Sequence, residues 1–367
     1  MKKLAISAAA LLAIAPYAAA DIVVNLPESV PGSTVIVEST SVEKMANARS
    51  RADLGLVSDT VAIVKGKPLT VKVPADADTR FKLTFSPENT LDLYTTPGEQ
   101  ITLDITAFSP VRYTVKGSPL MEGIWQIDEA VRPIEQAASE IRDGKRPQSE
   151  MQGLFEQYTK VLTDFIEKNP SSPAAVYAML SLQPEDFVKY DSIVAPNAAR
   201  SALNPMLVKT RERVNAQIEA DHKRAEMEQN HVQAPAFTLE NLEGKPVSLS
   251  DFKGKWLILD FWGSWCGWCI KGFPQLKEAY ARYKPGLEVI GIDCQEPKDR
   301  WKAGVEKHQL PWVHVYLPQE QAQELLSAYG VQGFPTKVIV NPEGKIMNIT
   351  SGEDPEFYNI LAKLMGK

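Results

Sequence analysis

The sequence has 367 residues, of which 44% are hydrophobic, 23% charged and 8% aromatic. This composition excludes disorder and collagen as overall descriptions, and the length predicts two or three domains. Forty Lys and Arg residues against 46 Asp and Glu give a net charge of −6. We therefore expect no nucleic-acid partner, because phosphate binding needs a basic field. Three cysteines are too few for a disulfide-built scaffold, so any cysteine chemistry is local.

The first twenty residues have the organisation of a secretory signal peptide. Two lysines follow Met1, residues 4–15 are almost wholly apolar, and three alanines end at Ala20. We therefore predict cleavage after Ala20 and a periplasmic location, which is an oxidising compartment. An uncleaved amphipathic anchor is the alternative, but this segment has no polar face. No later run reaches the roughly 18 apolar residues of a membrane span, so none is expected.

Residues 21–116 have the alternating pattern of short β-strands. The runs with a period of two are residues 34–37, 60–64, 69–73, 80–85, 100–105 and 111–115. Turn residues separate several runs, as at Pro31-Gly32 and Pro97-Gly98. Because a half-buried sheet must cover its apolar face, we predict an all-β sandwich of antiparallel strands over residues 21–116. We find no catalytic constellation in this part of the sequence.

A helical period begins after this region. Ser118 is predicted as an N-cap and Pro119 as the first helical residue, where a missing N–H costs nothing. A second helix is predicted to open at Ser149, with Gln152 completing a capping box. The predicted helices are residues 119–141, 149–168, 175–182 and 202–229. Residues 117–231 are therefore interpreted as a helical region whose apolar stripes form a core rather than a partner groove.

Residues 232–367 alternate strands and helices, which is the pattern of an α/β domain. A hairpin at residues 237–249 and a buried-strand run at residues 256–261 precede the segment Cys266-Gly267-Trp268-Cys269. Later strands are predicted at residues 287–294, 312–317, 337–340 and 345–350, and later helices at residues 299–307, 320–329 and 355–364. The single Cys-x-x-Cys segment thus lies between a strand and a helix.

The two cysteines of this segment carry the predicted chemistry. A strand that runs into a turn and then a helix from Ile270 puts Cys266 at the helix N-terminus. Unsatisfied N–H groups and the helix dipole stabilise a thiolate there, so Cys266 is the predicted nucleophile. Cys269 lies one helical turn further on, more buried and within reach of a disulfide. This is the geometry of a resolving thiol.

Asp260 lies six residues before Cys266 in an otherwise apolar strand. Burial is expected to raise the pKa of its carboxyl group, so that the group accepts the proton of Cys269. Alternation along the strand puts Asp260 and Trp262 on one face. A solvent-facing aspartate is the alternative interpretation, since buried unpaired acids are rare.

The segment Asp260-Phe261-Trp262 followed by Trp265-Cys266-Gly267-Trp268-Cys269 resembles the active-site segment of the thioredoxin family. The resemblance continues at Pro274, where thioredoxins kink the active-site helix. Gly333-Phe334-Pro335-Thr336 is similar to the loop whose cis-proline faces the disulfide. The leading hairpin and the strand at residues 312–317 are more similar to the exported TlpA/ResA branch than to plain thioredoxin.

This resemblance implies a thioredoxin-like fold for the C-terminal domain and a Cys266–Cys269 redox centre. A cis bond before Pro335 leaves the backbone of Phe334 free to pair with an extended substrate segment, which aims the target sulfur at Cys266. The residues expected to contact the substrate are Trp265, Trp268, Gly333 and Phe334. More weakly, residues 21–231 resemble the β-sandwich and helical region that precede such domains in some envelope proteins.

Three departures from the family pattern affect these expectations. Trp268 replaces the proline commonly found between the cysteines, so the turn is less rigid and the reduction potential is open. Gly272 stands where the ResA branch often has a buried glutamate. Gly291 stands approximately where thioredoxin has a lysine paired with its buried aspartate. Asp260 is therefore expected to be the sole proton acceptor.

Cys294 is the third cysteine, and it ends a predicted strand at the same edge as the active site. Two interpretations are open for this residue. It forms a regulatory or mixed disulfide, or it packs as a small buried hydrophobic residue.

The leading hypothesis is a periplasmic thiol-disulfide oxidoreductase without cofactor or metal. Its expected partners are disulfide-containing envelope proteins, which it reduces or isomerises, and a membrane thiol reductase as electron donor. One alternative is non-enzymatic binding of a soft metal such as Cu(I) by Cys266 and Cys269. Another is that residues 21–231 form a partner-binding module with an accessory redox domain.

Two further classes are not expected from the sequence. A closed zinc site is improbable because none of the histidines offers an obvious extra ligand. These histidines are His222, His231, His308 and His314. A peroxidase would need a threonine-supported cysteine, and the arrangement Thr-x-x-Cys does not occur.

Overall fold

The computed structural model describes residues 21–366, so the predicted signal peptide lies outside the described residues. The chain divides into two compact units, of which the first ends at Val214 and the second begins at Asn215. Across residues 21–366 we find no helix with the length and apolar character needed to cross a membrane.

Two four-stranded sheets form the β part of the N-terminal unit. Their strands are β1 (Asp21–Asn25), β2 (Thr34–Ser41), β3 (Val57–Ala62), β4 (Leu69–Lys72), β5 (Thr79–Ser86), β6 (Asn89–Thr95), β7 (Ile101–Ala107) and β8 (Arg112–Lys116). One sheet has the order β4-β1-β7-β8 and the other β3-β2-β5-β6. Alternate residues are buried along strands such as β5, as a sandwich requires. The predicted β-sandwich is confirmed.

The structure differs from the prediction at three elements of this sandwich. Strands β1 and β6 and the short helix α1 (Val42–Asn47) were not predicted. Three consecutive apolar residues in β1 hide its alternation, although only Ile22 and Val24 are fully buried. In addition, β1 pairs in parallel with β7, so the expectation of purely antiparallel strands is wrong.

The rest of the N-terminal unit is helical. The helices are α2 (Pro119–Arg142), α3 (Met151–Lys168), α4 (Ala174–Met179), α5 (Pro184–Ala198) and the first part of α6 (Asn204–Gln229). Helix α2 begins as predicted, because the Ser118 side chain accepts a hydrogen bond from the N–H of Met121 at 3.4 Å. The predicted capping box of Ser149 and Gln152 is wrong. Ser149 is already wound into a 3₁₀ turn, whereas an N-cap needs an extended backbone.

Helix α6 contains the division between the two units, and its second part belongs to the C-terminal unit. Arg224 donates a hydrogen bond to the carbonyl oxygen of Gly330 at 2.5 Å. The carboxylate of Glu228 accepts a hydrogen bond from the N–H of Ile349. The predicted boundary between residues 231 and 232 stays a prediction.

The C-terminal unit is built on one seven-stranded sheet with the order β10-β9-β13-β12-β11-β14-β15. Its strands are β9 (Thr238–Asn241), β10 (Pro246–Ser248), β11 (Trp256–Trp262), β12 (Leu287–Asp293), β13 (Val313–Tyr316), β14 (Thr336–Val340) and β15 (Ile346–Ser351). Its remaining helices are α7 (Gly267–Tyr283), α8 (Lys298–His308), α9 (Gln319–Ala328) and α10 (Glu356–Leu364).

Strands β11, β12 and β13 are parallel, whereas β14 and β15 run antiparallel to their neighbours. This arrangement of strands and helices is the thioredoxin-like α/β fold that the resemblance implies. The loop from β11 to α7 leaves the sheet at the carboxyl ends of the parallel strands, which is where such sheets place their chemistry. The fold therefore positions Cys266 at this edge.

Candidate active site

Cys266 and Cys269 are joined by a disulfide at the beginning of α7, with their Cα atoms 5.3 Å apart. Cys266 is the N-cap of the helix, and its Sγ accepts a hydrogen bond from the N–H of Cys269 at 3.1 Å. The helix begins at Gly267 rather than at the predicted Ile270, so Cys266 still lies at its N-terminus. Cys266 is 6% exposed and Cys269 is 2% exposed, which agrees with the expected order of burial.

Two exposed tryptophans flank the disulfide. Trp265 is 48% exposed and Trp268 is 64% exposed. The Trp265 indole donates a hydrogen bond from Nε1 to the carbonyl oxygen of Cys294 at 3.1 Å. The ammonium of Lys271 lies 4.2 Å from the centre of a Trp268 ring, at cation–π distance. The surface around Cys266 is therefore aromatic and accessible.

The loop before β14 completes this surface. The peptide bond between Phe334 and Pro335 is cis, as expected from the sequence. The ring of Phe334 meets that of Trp265 edge to face, with centroids 5.5 Å apart, and packs against the apolar cluster that contains both cysteines. Thr336 donates a hydrogen bond from Oγ1 to the carbonyl oxygen of Gly333 at 2.8 Å, which closes the loop.

Asp260 is buried in β11 with 2% exposure, so the solvent-facing alternative is wrong. Its Oδ1 atom has no hydrogen-bond partner among the described residues. Burial raises the pKa of Asp260 to about 6, against an opposing effect of Lys337 and with a further rise from Glu353. The raised pKa agrees with the expectation from the sequence that burial perturbs this carboxyl group.

Sequence reasoning missed a second carboxylate and a lysine beside Asp260. Lys337 is the cross-strand partner of Asp260 and is 3% exposed at its side chain. Its Nζ lies 2.6 Å from Oε2 of Glu353. Gly272 and Gly291 lack side chains, but Lys337 and Glu353 from other elements place two charged groups near Asp260. That Asp260 is the sole proton acceptor stays a prediction. A lysine in the mostly apolar strand β14 was a sequence signal for Lys337. Glu353 lies in a polar loop, where a glutamate is ordinary, so the sequence offered no signal for it.

A further buried polar group supports the loop before Cys266. Ser264 donates hydrogen bonds to Glu296 from its backbone N–H, at 2.5 Å, and from its hydroxyl group. Burial, and after it the neighbouring Glu296, raises the pKa of Asp293 to about 9.

The position of Gly291 leaves room for the buried ring of His314, because a Cβ atom on residue 291 would lie 2.7 Å from Nδ1 of His314. Burial lowers the pKa of His314 to about 4.

Cys294 is fully buried and packs in the apolar cluster on the other face of the sheet from the disulfide. Its thiol lies 3.4 Å from the carbonyl oxygen of Ile292. Burial raises the pKa of this thiol well above its usual range, and Asp293 and Asp260 add to the effect. These surroundings favour the packing interpretation over a regulatory disulfide.

Within residues 21–366, no group of three or more His, Cys, Asp or Glu residues is placed to hold a metal ion.

Residues 231–349, which include this site, match the model of the AhpC/TSA family. The thiol-disulfide oxidoreductase ResA of Bacillus thuringiensis subsp. konkukian is 36% identical over 122 residues, which cover 33% of this chain and 69% of that protein. The chain belongs to the ResA family of thiol-disulfide oxidoreductases. ResA of Bacillus subtilis is 35% identical over 120 residues, which cover 32% of this chain and 65% of that protein.

Solved structures are also similar to part of this chain. The thioredoxin domain of a thiol-disulfide oxidoreductase from Bacteroides vulgatus is 35% identical, covers 37% of this chain and 96% of its own, and superposes with a TM-score of 0.35. As a member of the ResA family, the chain is a thiol-disulfide oxidoreductase, and Cys266 and Cys269 form a close disulfide pair in its C-terminal unit.

Proposed function

We propose that this ResA-family enzyme reduces or isomerises disulfides of envelope proteins in the periplasm through the Cys266–Cys269 dithiol. The observation that carries the proposal is the position of Cys266 as the N-cap of α7, where its Sγ accepts the N–H of Cys269. The same N–H group and the helix dipole stabilise a thiolate once the disulfide is reduced. Cys266 is therefore the proposed nucleophile and Cys269 the proposed resolving thiol.

The proposed reaction begins when the Cys266 thiolate attacks a substrate disulfide. A bond forms between Cys266 and one substrate sulfur, the substrate disulfide breaks, and the other substrate sulfur leaves as a thiolate. Asp260 then takes the proton of Cys269, and the new thiolate attacks the sulfur of Cys266. The Cys266–Cys269 bond forms, the mixed disulfide breaks and the second substrate sulfur leaves as a thiolate, so that two electrons have passed to the substrate.

The proposed docking surface consists of side chains and backbone around the disulfide. Its members are Trp265, Trp268, Gly333, Phe334 and Pro335. Exposed indole rings supply apolar contact area at low entropic cost, which suits a partner that is an extended or partly unfolded chain. The contact between Trp265 and Phe334 supports this role, because it joins the two loops that border the disulfide.

Trapping a covalent complex tests the proposal. Cys269→Ala removes the resolving thiol, so the mixed disulfide between Cys266 and its substrate accumulates. We expect a complex that a thiol reductant releases, seen on non-reducing gels of envelope extracts. Cys269→Ala combined with Cys266→Ala is the matched control and should trap nothing. Absence of any complex with the single variant would refute the assignment.

The direction of electron flow is proposed to be reducing, with a membrane thiol reductase regenerating the dithiol. Potentials of thioredoxin-like centres range from about −270 mV to about −120 mV, and about 30 mV corresponds to about 1.4 kcal/mol. Redox titration of the Cys266–Cys269 couple in thioredoxin or glutathione buffers checks the direction. A midpoint near the oxidising end would overturn it.

The location and the domain organisation are also proposals. Export rests on the apolar and small residues that end at Ala20, and N-terminal sequencing of the secreted protein should begin at Asp21. We propose that residues 21–116 and 117–231 extend the redox domain of residues 232–367 without a catalytic role. Disulfide reduction by a protein that lacks residues 21–203 tests this, because it should persist.

A further inference from the structure

A carboxylate lies against the active-site helix one turn after its second cysteine. Gly272 follows Cys269 by three residues, and a Cβ atom built on it would lie 2.2 Å from Oε2 of Glu353. A larger residue at this position would displace the carboxylate, since real Cβ atoms essentially never approach other atoms within 3.0 Å. Because Gly272 has no side chain, the Glu353 carboxylate can lie against this part of α7.

Glu353 directs its carboxylate to Lys337. Their ion pair measures 2.6 Å, and the side chains of Lys337 and Glu353 are 3% and 15% exposed. Lys337 is also the cross-strand neighbour of Asp260, whose Oδ1 has no hydrogen-bond partner among the described residues. One ammonium therefore acts on two carboxyl groups, and its direct hydrogen bond goes to Glu353.

We propose that Glu353 is a positioning residue of the dithiol centre, which engages Lys337 and so prevents it from forming a full ion pair with Asp260. Asp260 then remains a base of sufficient strength to take the proton of Cys269. This inference rests on the proposed function, because it concerns the step in which Cys269 resolves the mixed disulfide.

The electrostatics agree with this geometry. Burial raises the pKa of Asp260, Lys337 opposes the rise, and Glu353 adds to it. A full ion pair with an opposite charge within about 4–6 Å would lower the pKa of a carboxyl group by about 1–3 units. A lower pKa would make the Asp260 carboxylate a weaker base toward a thiol.

Groups from several elements face Asp260 and bear on its titration. On its own side of the sheet they are Lys337 from β14, His314 from the same row, Glu353 after β15 and Tyr358 from α10, and the Cys294 thiol after β12 interacts with Asp260 from the other face. Burial raises the pKa of the Cys294 thiol and of the Tyr358 hydroxyl, and it lowers the pKa of His314. These three groups are therefore neutral at pH 7, which leaves the Lys337–Glu353 pair as the charges that act on Asp260.

The experiment follows the reduced full-length protein as it reacts with dithiobis(nitrobenzoate). The first thionitrobenzoate leaves when Cys266 attacks, at a rate proportional to the reagent. The second leaves when Cys269 resolves the mixed disulfide, at a rate independent of the reagent. The rate of this second phase is measured against pH, with Cys294→Ala present in every protein so that only two thiols react.

Glu353→Gln removes the carboxylate charge, so Lys337 is released to Asp260. We expect the midpoint of the second phase to move to lower pH by about one unit. Gly272→Ala should move it in the same direction, because its methyl group displaces the Glu353 carboxylate. Lys337→Met should move it to higher pH. Glu356→Gln is the matched control, since this exposed carboxylate contacts Asn359 and Lys363 and should leave the midpoint unchanged.

The outcomes separate this inference from the proposed function. A protein with native Glu353 that releases no second thionitrobenzoate would refute the dithiol cycle itself. Two phases in that protein, with an unchanged midpoint in Glu353→Gln, would overturn only the role of Glu353. Shifts of Glu353→Gln and Lys337→Met in the same direction would also overturn it. Thermal unfolding of each variant identifies any that fail to fold, and Gly272→Ala then provides the test with Glu353 still present.

Discussion

The indole N–H of Trp265 donates a hydrogen bond to the carbonyl oxygen of Cys294, 3.1 Å away. This bond connects the residue before Cys266 to the residue that follows β12. Because Trp265 is 48% exposed, the hydrogen bond and the contact with Phe334 hold the ring in place more than burial does. The aromatic surface beside the disulfide is therefore already ordered.

Trp265→Phe keeps an aromatic ring but leaves the carbonyl oxygen of Cys294 without this donor. We expect the free energy of unfolding to fall by about 1 kcal/mol. We also expect the KM for a protein disulfide to rise, since the docking surface is less ordered. Denaturant unfolding and steady-state kinetics measure the two effects. Trp268→Phe is the comparison, because Trp268 is more exposed, and an equal loss of stability in both variants would contradict the role of this hydrogen bond.

Asp260→Asn should change how the stability of the oxidised protein depends on pH. The pKa of Asp260 is raised from 3.8 to about 6 by burial, so the folded protein binds this proton more tightly than the unfolded chain does. The contribution of Asp260 to stability is therefore full below pH 4 and is lost as the pH rises through 6. The loss amounts to about 3 kcal/mol.

The asparagine variant lacks this titration, so its free energy of unfolding should gain about 3 kcal/mol relative to the native sequence between about pH 4 and pH 7. Guanidinium unfolding at the two pH values gives the difference directly. Asp299→Asn, which alters an exposed carboxylate at the start of α8, should show no such gain. A constant difference between Asp260→Asn and the native sequence at both pH values would disprove the effect.

Cys294 should resist alkylation while the protein is folded. Its thiol is fully buried and its pKa is raised by burial, so thiolate is scarce and inaccessible. We expect iodoacetamide at neutral pH to modify Cys266 first in the reduced protein, and Cys294 only after unfolding. Peptide mass spectrometry measures the order. Modification of Cys294 at a rate similar to that of Cys266 would restore the regulatory interpretation.

Glu296→Ala should make the loop that leads to Cys266 more mobile. The variant removes the acceptor of both hydrogen bonds from Ser264, and bonds to charged groups contribute about 1.5–3 kcal/mol each. We expect a loss of stability of about 2 kcal/mol or more and faster amide exchange at Trp265. Glu324→Ala, on the exposed face of α9, is the control. Unchanged exchange at Trp265 would show that Glu296 does not hold the loop.

Local sequence patterns predicted those parts of the site that are formed by residues close together in the chain. The run from β11 through the turn into α7 is continuous, so the position of Cys266 at a helix N-terminus followed from strand and helix signals alone. The burial of Asp260 followed in the same way, because every other residue of its strand is apolar. The start of α2 at Ser118 and Pro119 was equally local.

Contacts between distant segments could not be predicted in this way. Lys337 reaches Asp260 only because β14 pairs with β11, and Glu353 reaches Gly272 only because the chain turns after β15. No short-range pattern encodes either approach. Helix α5 was missed for a different reason, since Pro196 lies inside it and a proline within a helical pattern usually ends the helix.

The second part of α6 limits where the redox domain can be separated from the residues that precede it. Arg224 and Glu228 bond the backbone of Gly330 and Ile349, so a chain that began at residue 232 would leave that carbonyl and that amide without their partners. A gene fusion that transplants this domain must therefore carry the last turns of the preceding helix with it. The junction of such a fusion therefore belongs inside α6, upstream of the residues that the family model matches.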